Sequence, residues 1–128
     1  MFNKLNGTIY FQFGNHDTKK GLREVPTHVI MLDDVVHSWI NFEGAGKAYE
    51  VVTSHCPLLT WAGKLRGVYH FFGHIHSGPS SISSEASLPL DRNMYDVGVD
   101  NNLLYPIEFR DILAKLKPRP TFDYPELF

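Results

Sequence analysis

Seven histidines occur in 128 residues, and four of them sit where chemistry collects. His16, His55, His74 and His76 each follow a strand-like run, in loops beside Gly or Pro. They lie in Gly14-Asn15-His16-Asp17, Ser54-His55-Cys56-Pro57 and Gly73-His74-Ile75-His76. Neutral imidazole is the commonest metal ligand. His74 and His76 are two apart, a spacing that puts both rings on one side of an extended segment. Asn15 adds a neutral amide oxygen, while His16 beside it points elsewhere in an extended chain. The candidate ligands are therefore Asn15, His55, His74 and His76. Nitrogen and oxygen donors of this kind suit Zn, Mn, Fe or Ni better than Ca. Each piece alone is weak, since a lone His-x-His is more often a surface strand and a lone Asn-His-Asp is mostly a turn. The order of the pieces and their strand context carry the specificity.

The elements that must position these loops read as short strands. Thr8 to Phe13 is β-branched and aromatic between Gly7 and Gly14. His28 to Leu32 is a second apolar run. Val35 to Phe42 and Lys47 to Ser54 flank the turn residues Glu43 to Gly46 and predict a hairpin. Gly67 to Phe72 and Tyr95 to Val99 predict two more strands. Leu58 to Gly63 is a connector with room for one helical turn, and Thr18 to Glu24 is long enough for one turn or two before Pro26. Ser77 to Arg92 has no periodicity and reads as a long surface loop, a candidate rim for a site. Pro106 suits the first position of a helix over Ile107 to Leu116, with Ile107, Ile112, Leu113 and Leu116 on one stripe. Residues 117–128 hold three prolines and read as an extended tail.

Composition sets bounds. A chain of 128 residues with 43% hydrophobic content is one domain's worth of material, neither disordered nor multidomain. We expect a single domain over residues 1–116. No apolar run is long enough to span a bilayer, and no signal peptide is evident, so the expectation is a soluble cytoplasmic protein without a membrane partner. Cys56 is the only cysteine and has no internal partner for a disulfide. A net charge of −2 gives no basic footprint for nucleic acid.

Several residues have plainer readings. His28, His37 and His70 read as strand residues with satisfied rings, and Cys56 as a small buried filler. Trp39 and Trp61 read as packing. Lys19, Lys20 and Arg23 could meet a phosphate but more often form a solvated face. Ser80 to Ser84 reads as loop solubility, and Asp100 with Asn101 as turn formers.

Taken together, the three motifs in this order resemble the calcineurin-like metallophosphoesterase superfamily, in particular its small bacterial and phage members. Leu58 to Trp61 after His55 fits that subgroup. So does Tyr95-Asp96-Val97-Gly98-Val99-Asp100-Asn101, followed by Pro106 and a short helix. The resemblance covers roughly residues 5 to 116. It implies an α/β (α+β) fold, part of a four-layer αββα sandwich with mostly β content and a C-terminal helix. It implies a hydrolase of phosphomonoesters or phosphodiesters, using divalent metal ions and a metal-activated water. Asn15, His55 and His74 would bind one ion and His76 the other. His16 would be the catalytic acid or the stabiliser of the leaving oxygen, oriented by Asp17.

The family also carries an Asp-x-His and a Gly-Asp ahead of these motifs, and neither occurs in this sequence. The resemblance therefore implies the later part of the family fold, with N-terminal strands missing. Without the bridging carboxylate, one ion or none is expected in place of two. The phosphoesterase would then act in a truncated or partner-completed form, through a complementing chain or a second copy. The alternative is a non-catalytic remnant that binds at most one ion, or a protein partner through an exposed sheet edge.

Overall fold

The computed structural model describes residues 4–18 and 26–116. The helical turns expected before Pro26, the basic residues Lys19, Lys20 and Arg23, and the tail over 117–128 lie outside the described residues. The fold is mixed α+β and mostly strand. It has two sheets and one helix near the C-terminal end of the described chain. Strands β1 (Ile9–Phe11) and β2 (Val29–Met31) pair in parallel, with Ile9 opposite Val29. Strands β3 (Val35–Ile40), β4 (Tyr49–Ser54), β5 (Tyr69–Phe72) and β6 (Met94–Asp96) form the second sheet in that order. The β3–β4 pair is the expected antiparallel hairpin, whereas β4–β5 and β5–β6 are parallel.

The β-branched pair Val51-Val52 sits in a central strand covered on both faces, so both residues are buried. Val52, Phe72 and Met94 form one core face with Trp61, Val68 and Ile75. Val51, Phe71 and Tyr95 form the other, against Ile112 and Leu116. Ile112 and Leu116 belong to α1 (Phe109–Leu116), and each contributes about 1.5–3 kcal/mol by burial. The expected stripe holds at Ile112 and Leu116, with Ile107 packed partly buried on the same cluster. The helix begins at Phe109, three residues after Pro106.

Other boundaries also move. The strand expected over Tyr95 to Val99 ends at Asp96, because the Asp96 carboxylate accepts the Gly98 N–H at 2.8 Å and turns the chain. Val99–Asn101 is then a 3-10 turn. The helical turn sought near Leu58 to Gly63 falls one step later, at Lys64–Arg66, between Gly63 and Gly67 in left-handed conformations. The loop over Ser77 to Arg92 contains a 3-10 turn at Ser84–Ser87.

His70 is fully buried with both ring nitrogens satisfied, as expected for a strand histidine. Its Nε2 accepts the Leu58 N–H at 2.9 Å, and its Nδ1 donates to the Val52 carbonyl at 3.0 Å. Trp61 is likewise core, donating its indole N–H to the Val68 carbonyl at 2.8 Å. Trp39 differs. It is 62% exposed and stacks on His37, whose ring pairs with Glu50.

Because β4, β5 and β6 run in parallel, their carboxyl ends share one rim. Open α/β sheets collect their sites at such a rim. His55 follows β4 directly, Gly73 and His74 follow β5, and Gly98 to Asp100 follow β6. The Asn15 loop reaches the same rim from β1, tied down by Gln12, whose amide donates to the carbonyls of Asp33, Asp34 and Thr53.

Candidate metal centre

Three of the four expected ligands meet. His55 Nε2 lies 2.8 Å from Asn15 Oδ1 and 3.2 Å from His74 Nδ1. The two rings meet edge to face, with centroids 5.1 Å apart. The local chain explains the approach. Gly73 N–H donates to the His55 carbonyl at 2.9 Å, which extends the β4–β5 pairing by one step and places His74 beside His55. At Gly14, an added Cβ would stand 3.0 Å from His55 Cε1 and 3.1 Å from its Nδ1. A bare backbone there lets the imidazole lie against the Asn15 loop.

The electrostatics favour a neutral His55. Burial lowers its pKa, the neighbouring His74 lowers it further, and the Asp17 carboxylate opposes both. A neutral ring is what a metal ligand must be. Asn15 Oδ1 and His74 Nδ1 both lie at hydrogen-bond distance from His55 Nε2. One proton on His55 Nε2 can satisfy its two neighbours, whereas a cation would satisfy all three atoms at once. The donor set therefore fits a divalent transition-metal ion.

The sequence expectation for the His74–His76 pair needs correction. The segment is not extended, since His74 and His76 have φ of 66° and 49°, both left-handed. Between them Ile75 is fully buried in the core. The two rings consequently take different partners. His74 Nδ1 faces His55, while its Nε2 lies 3.3 Å from Glu85 Oε2. His76 is exposed, and its Nδ1 pairs with the Asp100 carboxylate. Asp100 thus does more than shape its turn.

Cys56 also differs from expectation. It is exposed, while Ser54 before it is buried and His55 half-buried. Ligand atoms of His55, Cys56 and His74 all lie within 4.8 Å of one another. The sequence reading as a buried filler leaves Cys56 out of the ligands, although its place directly after His55 is a usable signal. Glu85 is left out as well, and for it the Ser-rich loop gives none.

His16 and Asp17 are both exposed. The Asp17 carboxylate accepts the Gly14 N–H at 2.7 Å and closes a tight loop around Asn15 and His16. Asp96, 1% exposed, serves the opposite loop in the same way. Its carboxylate accepts from Ser77 N–H at 3.1 Å, from the Ser77 hydroxyl at 2.5 Å and from Gly98 N–H.

A cleft of about 860 Å³ runs from His55, His74 and His76 between the two sheets. Tyr10 and Leu32 line it from the two-stranded sheet, and Val36, Ile40, Phe71 and Val97 line it from the other. Among the described residues, no helix is long and apolar enough to cross a membrane. Comparison of the chain with protein-family models finds no match, and comparisons with curated proteins and with solved structures find none either.

Proposed function

We propose that the chain is a metal-dependent phosphoesterase related to the calcineurin-like metallophosphoesterases, with a single divalent ion held by Asn15, His55 and His74. The observation that carries this reading is the convergence of Asn15 Oδ1 and His74 Nδ1 on His55 Nε2, from three loops distant in sequence. Under the same proposal the two sheets are the inner layers of a four-layer sandwich. When bound, a divalent ion would polarise a phosphoryl oxygen and bring the ionisation of water near neutral pH.

The chain's own residues supply the rest. Asn15, His55 and His74 already lie side by side before any ligand arrives, so binding asks for little more ordering than moving the His55 proton from Nε2 to Nδ1. Asp17 fixes the loop that presents His16, an exposed imidazole suited to giving a proton to a leaving oxygen. The apolar cleft beside the histidines offers room for the organic part of an ester. His76, held by Asp100, stands at the cleft without joining the three-atom cluster.

Protein loaded with Mn²⁺ is expected to hydrolyse bis(4-nitrophenyl) phosphate, with one ion per chain by elemental analysis. The variant His55→Ala should lose both the ion and the hydrolysis. Equal rates for wild type and variant would overturn the proposal.

One observation favours a second reading, a non-catalytic remnant that takes a protein partner. Among the described residues the β1–β2 sheet has two strands, paired in parallel, and leaves Tyr10 64%, Ile30 43% and Met31 39% exposed. Parallel sheets are ordinarily covered on both faces. One bound ion per chain with no hydrolysis would select this reading.

A further inference from the structure

We propose that Glu85 is a positioning residue for the metal centre, delivered by the Ser-rich loop to fix which nitrogen of His74 is free to bind an ion. The inference rests on the metal-centre reading above and adds a residue to it. A histidine ring that ligates metal needs its other nitrogen to donate to an acceptor, and a carboxylate there sets the tautomer and raises the basicity of the ligating nitrogen.

At His74 a carboxylate stands on that side at ion-pair distance. The His74 Nε2 lies 3.3 Å from Glu85 Oε2, and its Nδ1 lies 3.2 Å from His55 Nε2. The carboxylate's charge favours the proton on Nε2, which leaves the Nδ1 lone pair facing His55. The opposite tautomer would set an Nε2 lone pair against a carboxylate, which is repulsive.

His74 has a left-handed backbone, and its two ring nitrogens face different neighbours. The loop is built to hold its end of the contact. The Ser83 hydroxyl accepts the Glu85 N–H at 3.3 Å and caps the 3-10 turn Ser84–Ser87. Ser83 N–H in turn donates to the Ser81 hydroxyl at 3.1 Å. Two serines thereby fix the backbone that carries the carboxylate, which gives this serine-rich stretch a role beyond solubility.

Stability is a poor explanation for the contact. The Glu85 side chain is half exposed, and exposed pairs of this kind add little to folding. The consequence falls on the tautomer.

Two readouts on the full chain test this. In chelator-treated protein labelled with ¹⁵N-histidine, His74 is expected to carry its proton on Nε2, with His74→Ala providing the assignment. Glu85→Leu should move His74 toward the Nδ1–H form and weaken Zn²⁺ binding by about 10- to 100-fold in a chelator competition. Glu85→Gln, whose side-chain oxygen still accepts a hydrogen bond, should restore the tautomer and part of the affinity. An Nδ1–H form in the wild type, or unchanged Zn²⁺ affinity in Glu85→Leu, would overturn the role given to Glu85. A wild type that binds no Zn²⁺ would overturn the metal centre itself. The tautomer measurement still reports separately whether Glu85 governs His74.

Discussion

Gln12 Nε2 lies 3.1 Å from the carbonyl oxygen of Thr53, and this contact joins the two sheets directly below the histidine cluster. Gln12 stands three residues before Asn15, and Thr53 two residues before His55. The same amide also donates to the carbonyls of Asp33 and Asp34 at 2.9 and 3.0 Å, where the chain passes from β2 to β3. One side chain therefore ties together the segments that carry two of the three proposed ligands.

Replacing Gln12 with Leu removes these bonds at nearly constant volume. The carbonyls near the surface can turn to water, while the part-buried Thr53 carbonyl has less access. A loss of about 1–2 kcal/mol in urea unfolding is expected. Because the Asn15 loop then loses its tie to β4 through Gln12, metal affinity should fall by about tenfold, as a 1.4 kcal/mol penalty would give. Unchanged affinity in a folded Gln12→Leu protein would show that the strut does not position the ligands.

Much of this arrangement is readable in the sequence, for a physical reason. The strands are short β-branched and aromatic runs bounded by glycine, and alternation within them is set by local backbone geometry. The hairpin over Val35 to Ser54 and the placement of His55 after β4 follow from that pattern. What the sequence hides depends on contacts between distant residues. Glu85 reaches His74 across a loop without periodicity, so no local signal marks it. The left-handed backbone at His74 and His76 is rare for residues with a Cβ. Here burial of Ile75 between them goes with it, and that burial is a tertiary effect. The early end of β6 is a local effect that the β-branched Val97 and Val99 conceal, since the Asp96 side chain captures the Gly98 N–H.

Cys56 bears on which ion the centre prefers. Its ligand atom lies within 4.8 Å of those of His55 and His74, and thiolate is a soft donor that favours Zn²⁺ over Mn²⁺. Cys56→Ser should lower Zn²⁺ affinity while leaving Mn²⁺ affinity within about twofold. His55→Ala should abolish binding of both ions. Isothermal titration of each variant with each ion reads the difference. Equal Zn²⁺ affinity in wild type and Cys56→Ser would remove Cys56 from the ligand set.

His70 makes the stability of the fold depend on pH. Burial lowers its pKa below the ordinary value of 6.5, the Val52 carbonyl partly opposes this, and the Lys64 charge adds to the lowering. The folded protein keeps the ring neutral, with the proton on Nδ1 and the Nε2 lone pair accepting from Leu58 N–H. The unfolded chain takes up a proton near the ordinary value. The unfolded state thus binds more protons below that pH, and stability falls as pH drops through it. The loss has a slope of up to about 1.4 kcal/mol per pH unit and levels off below the folded pKa. Above pH 7 the His70 contribution should be flat. Urea unfolding at pH 7.5, 6.5 and 5.5 should show this loss, and the His70 ring should stay neutral below pH 6.5 in a ¹⁵N titration. A His70 ring that takes its proton at or above 6.5 in the folded protein would mean that the hydrogen bond from Leu58 is not maintained.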